Sequence, residues 1–153
     1  MFPAHIFNYC KGIIMIVNKI ALVDVYNSYG RCLLDDTFFD HLYYTFLASN
    51  DEIPRRFAKT EISKQKEVIR HSLGTVLNYA KEDDAMAAQV IARLKDSHGP
   101  GKLNIEPKLY AFWIDSLIKT VKKCDPDFTP ELGESWKHVV MPAVTEMISA
   151  YDD

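Results

Sequence analysis

A chain of 153 residues has room for one domain with a sizeable core and none for a second catalytic domain. Its 18 basic and 21 acidic residues give a net charge of −3, and no basic stripe is present, so a nucleic-acid partner is not expected. The three cysteines, Cys10, Cys32 and Cys124, form no C-x-x-C pair. Neither a disulfide framework nor a zinc site follows, and reduced thiols in a cytoplasmic protein are the expectation.

Residues 1–17 read as an extension ahead of a domain spanning 18–153, with Met15 available as a later start. The apolar run Gly12 to Val17 lacks a cleavage site and is too short to cross a bilayer, so stable membrane insertion is not expected. A weak membrane or partner contact is the alternative for it.

Asn18 is placed to cap a first helix to about Leu33, with Ile20, Val23, Tyr26 and Asn27 spaced at three to four. After Asp35-Asp36 comes an aromatic-rich helix from Phe38 to Leu47. Asn50 to Pro54 breaks it and opens a short helical turn ending near Phe57. Thr60 begins a long helix through Ala80, with Ile62, Gln65, Ile69, Leu73 and Val76 close to one face. A helix after Asp83-Asp84 ends at His98, stopped by Gly99-Pro100-Gly101. A sixth runs from Asn104 and Pro107 to about Lys123. The last has Thr129 as N-cap, Pro130 at its first position and Glu131 in its first turn, and it reaches Tyr151 through Pro142. The basic pairs Arg55-Arg56 and Lys122-Lys123 read as solvated helix ends. The fold class is therefore all-α with seven helical segments.

Ile91, Leu94 and His98 share one stripe of their helix, which puts an imidazole at the end of an apolar face. A neutral imidazole there can ligate a metal. A histidine favoured by the dipole at a helix C-terminus is the bland alternative, and spacing alone favours it. His5 lies in the extension and His41 and His138 have no ligand spacing with one another, so all three read as surface or packing residues; His71, six residues from Gln65, is turned away from that face and reads as surface. No phosphate loop, hydrolase triad or H-E-x-x-H motif is present.

The run Leu94-Lys-Asp-Ser97-His98, followed by Leu103-Asn-Ile105-Glu-Pro107-Lys-Leu-Tyr110, resembles the proximal segment of globins. The likeness extends through Tyr43, Phe57, Gln65 and Trp136 and is strongest to bacterial single-domain globins, which are related to the globin domain of flavohaemoglobins. It implies a globin fold of about seven helices around haem b (iron protoporphyrin IX), held without covalent attachment because no C-x-x-C-H is present. It makes His98 the iron ligand, with Leu94 beneath the porphyrin, Phe57 stacked on it and Ser97 near the histidine or a propionate. Lys102 becomes a propionate partner and Ile105, rather than Leu103, a contact at the haem edge. Tyr43, Gln65 and Ile69 take the distal side, where donors would stabilise bound O2. Tyr110 becomes the proximal tyrosine that orients the histidine, although no acidic partner for it is evident on the last helix. Trp113, three residues after Tyr110, reads as facing the pocket or the adjoining core, with core packing favoured, and Trp136 as core.

The implied function is reversible binding of O2, with NO and CO as competitors, for transport, storage or sensing by a monomer or homodimer. Nitric oxide dioxygenation is the enzymatic alternative and would require an external reductase. A haem-free globin-fold regulatory module is the other.

Overall fold

The computed structural model describes the backbone of residues 4–152 and the side chains of 11–15 and 17–152. The described residues form seven α-helices and one short 3-10 turn: α1 Ala4–Cys32, α2 Phe38–Ala48, α3 Glu52–Phe57, α4 Ile62–Tyr79, α5 Ala85–His98, α6 Pro107–Cys124, α7 Pro130–Ile148, and the turn Ser149–Tyr151. Several boundaries follow directly from capping chemistry. The Asp84 carboxylate accepts from the Ala87 amide at 2.8 Å, and the Thr129 hydroxyl accepts from the Leu132 amide at 3.1 Å. Both satisfy amides that have no partner within the first turn. Pro107 and Pro130 sit at the first helical positions, where a missing N–H costs nothing.

α7 is the hub of the fold, packing against α1, α4, α5 and α6, while α2 lies on α6 and α4 on α5. The core they enclose includes the fully buried Trp136, Phe38, Leu42, Leu73, Leu77, Ile91, Leu117 and Val140. Each such side chain contributes roughly 1.5–3 kcal/mol by leaving water.

Two expectations for α1 change. The helix begins at Ala4, so Asn18 lies inside it, and its side-chain oxygen meets His138 Nε2 at 2.7 Å instead of capping. The buried stripe is Ala21, Val25, Ser28 and Cys32, whereas Ile20 and Val23 are 57% and 59% exposed. Both sets have helical spacing, so periodicity could not choose between them. Contact with α7 selects the face with smaller side chains, where two helices can approach closely.

That face carries a buried polar cluster. Ser28 Oγ donates to Asp125 Oδ2 at 2.5 Å, and Arg31 donates to both carboxylate oxygens at 2.6 and 2.9 Å. The Asp127 amide donates to Asp125 at 2.9 Å, and Trp136 Nε1 donates to Ser28 Oγ at 2.9 Å. Burial alone raises the Asp125 pKa, but the bonds from Arg31, Ser28 and the Asp127 amide outweigh it and hold the carboxyl below its ordinary value. The same burial pushes the Cys32 and Cys124 thiols up to about 12 and about 11, so both free cysteines are unreactive at neutral pH. The side chains of His5 and Cys10 lie outside the described residues. Among the described residues no helix is long and apolar enough to cross a membrane.

Candidate functional site

α3, α4, α5 and α6 surround a mainly apolar cavity of about 960 Å³, its open mouth included. Phe46, Ile53 and Phe57 wall it on one side and Val68, Ile69, Ser72 and Val76 on another. Leu94 and His98 come from α5, Ile105 from the following loop, Leu109, Tyr110 and Trp113 from α6, and Val144 and Met147 from α7. Gln65 and Arg56 complete the wall.

His98 occupies the last position of α5 and is half-buried. Its Nδ1 lies 2.8 Å from the Leu94 carbonyl, one turn earlier. A carbonyl can only accept, so Nδ1 carries the hydrogen and the lone pair falls on Nε2. Burial lowers the His98 pKa against the smaller opposing effect of that carbonyl, which favours the neutral ring. Ser97 Oγ donates to the same carbonyl at 3.0 Å and lies 3.1 Å from Nδ1, so it supports the ring from behind.

The loop after α5 holds this geometry in place. Ile105 N donates to the His98 carbonyl at 2.8 Å, and Tyr151 Oη donates to Asn104 Oδ1 at 2.7 Å. Gly101 has φ +85°, a conformation that favours glycine. Gly99 is tightly packed: a Cβ there would lie 3.3 Å from both Ala150 Cβ and the Lys95 carbonyl.

Tyr110 is 8% exposed, and its hydroxyl has no hydrogen-bond partner among the described residues. Burial pushes its pKa up to about 12, with a smaller contribution from Tyr151, so it stays a neutral donor. A buried hydroxyl without a partner costs about 1–3 kcal/mol. Beside an apolar cavity, that cost is one a bound group could relieve.

Seven of the ten residues expected at the site line this cavity: His98, Leu94, Phe57, Gln65, Ile69, Ile105 and Tyr110. Tyr43 does not. It is buried one layer behind, edge-on to Phe57 with ring centroids 6.3 Å apart. Ser97 contributes only through His98, and Lys102 is exposed and ion-paired with Asp96. Leu103 is 59% exposed. Trp113 packs against the core and also lines the cavity, and Trp136 is fully buried. Among the other histidines, His71 is 82% exposed beside Glu67, and His41 lies near Lys123. Glu146 pairs with Lys95 at 3.4 Å.

Sequence reading missed Arg56, which is half-buried in the wall and not a solvated helix end. It also missed Phe46, Val68 and Ser72. The spacing of Ser72 from Gln65 and Ile69, seven and three residues, was the signal available for it.

Seven helices folded around an apolar cavity, with one inward histidine at a helix end, define a globin-like architecture. The chain matches no family model and no curated protein. It is similar to a crystal structure of a Pseudomonas aeruginosa PAO1 protein described as structurally highly homologous to a human hemoglobin, with 34% identity and a TM-score of 0.80. The likeness covers 86% of this chain and 98% of that one. The chain therefore belongs to the hemoglobin-like, globin family.

Proposed function

We propose that this chain is a b-type haem protein that binds a diatomic gas, O2 foremost with NO and CO as competitors, for transport, storage or sensing. The observation that carries the reading is the His98 ring. Its Nδ1 is committed to the Leu94 carbonyl, which leaves Nε2 with a lone pair on a residue lining an apolar cavity. That is the donor state an iron ligand requires, with the ring orientation set from behind.

The rest of the wall fits the group. Leu94, Ile105, Leu109, Val144 and Met147 supply apolar contact for a porphyrin body, and Phe57 supplies an aromatic face. The unpartnered Tyr110 hydroxyl is a donor awaiting an acceptor. Bound haem would supply the iron at which a diatomic gas is held. The protein's part is then to hold the imidazole neutral and oriented, to exclude water, and to offer a hydrogen-bond donor from the α4 wall. Gln65 is that donor, with Ile69 and Val68 beside it as apolar neighbours.

Titration of the purified protein with haem should give a one-to-one complex with a Soret band, which should move when CO is added to the reduced form. A protein that takes up no haem would overturn the reading.

A further inference from the structure

Taking the cavity as a haem site, its propionate carboxylates still need a cation. Lys102, implied for that role by the family likeness, is paired with Asp96 on the surface, and neither it nor Ser97 lines the cavity. Arg56 is the one permanently charged cation among the lining residues. An apolar wall with a single guanidinium suits a ligand that is apolar over most of its surface and anionic at one edge.

We propose that Arg56 is the carboxylate anchor of this cavity, pairing with a propionate of bound haem. Its side chain is already oriented. Nε and Nη2 donate to Glu52 Oε1 at 3.2 and 2.7 Å, and Nη1 donates to the Leu103 carbonyl at 3.0 Å. Arginine has five N–H donors, so one on Nη1 and one on Nη2 are left without a partner among the described residues. Those two nitrogens can form a fork toward a second carboxylate.

Glu52 does not cancel the charge of Arg56 alone. Lys108 lies 3.5 Å from the other Glu52 oxygen and 3.2 Å from Glu106, so the cluster balances two cations against two carboxylates. The cluster is neutral overall, so what Arg56 offers an incoming propionate is its two unpartnered N–H donors in a fixed orientation. The contact with Leu103 also ties Arg56 to the loop that follows His98, so the anchor and the proposed iron ligand belong to one rigid frame.

The test is the rate at which the ferric haem complex loses haem to an excess of an apoglobin acceptor. It is run with haem and with haem dimethyl ester, whose propionates carry no charge. Arg56→Gln should lose haem about tenfold faster than the wild type, Arg56→Lys by an intermediate factor, and Lys102→Gln at the wild-type rate. With the ester, wild type and Arg56→Gln should lose haem at the same rate. Equal rates for wild type and both Arg56 variants with haem, or an effect confined to Lys102→Gln, overturn the anchor while leaving the haem site standing. Wild-type protein without a Soret band overturns both. Should Arg56→Gln fail to fold, Arg56→Lys and the wild-type comparison of haem with its ester decide the matter: equal rates for both ligands refute it.

Discussion

Two polar groupings of this molecule, one buried and one at the half-buried cavity wall, contrast sharply. Where α1 meets the start of α7, Asp125 accepts from Ser28, Arg31 and the Asp127 amide, and Trp136 closes the set through Ser28. At the cavity wall, the Tyr110 hydroxyl has no partner among the described residues, and a half-buried neutral histidine, glutamine and arginine stand around the same cavity. The first grouping is complete without any addition and pins three helices together. The second is incomplete in a manner that a ligand would complete. Buried polar atoms are costly unless matched, so the Tyr110 hydroxyl is the atom of this grouping that a bound group would relieve.

Substitutions should divide along that line. Asp125→Ala strands Arg31 and Ser28 and should cost about 3 kcal/mol in denaturant unfolding. The depressed pKa of Asp125 fixes the sign with pH. Its stabilisation is present above the unfolded-state value of about 3.9 and is lost as pH falls through the lower folded value. The difference between wild type and Asp125→Asn should therefore shrink below about pH 4, and a constant difference would show that the carboxylate charge is not what matters.

Trp136→Phe removes the bond to Ser28 and leaves a void, with an expected loss of about 2 kcal/mol. Tyr110→Phe should act in the opposite direction. Deleting the unpartnered hydroxyl should stabilise the haem-free protein by up to about 1 kcal/mol, measured by thermal unfolding. A destabilised Tyr110→Phe would mean that the hydroxyl already has a partner. The smallest effect concerns the gas. In the haem-loaded protein, Gln65→Leu should speed O2 release by about threefold, and Tyr43→Phe should change it less because Tyr43 does not line the cavity. The reverse ranking in stopped-flow traces would move Tyr43 to the front.

Much of the fold could be read directly from residues. Thr129-Pro130, Asp84 and Pro107 declare helix starts through local capping chemistry, and the structure agrees with each. What escaped depends on contacts distant in sequence. The choice of Ala21, Val25 and Ser28 over Ile20 and Val23 as the inner face of α1 is made by α7. The Ser28–Asp125 bond spans 97 residues, and no local pattern announces it. At the site, the stripe Ile91, Leu94, His98 was visible, but the direction of Arg56 was not. In the sequence Arg55 and Arg56 look alike, yet one is exposed and the other lines the cavity.

The central claim is that His98 Nε2 is the ligand of a haem iron. The direct measurement is the optical spectrum of the ferrous and ferric protein after haem titration, comparing wild type with His98→Gly in the absence and presence of free imidazole. Wild type should show a Soret band and visible bands of a histidine-ligated haem. His98→Gly should lose them, fold with unchanged helicity, and regain them when imidazole fills the vacated position. Identical wild-type and His98→Gly spectra, or no spectrum from either, would contradict it.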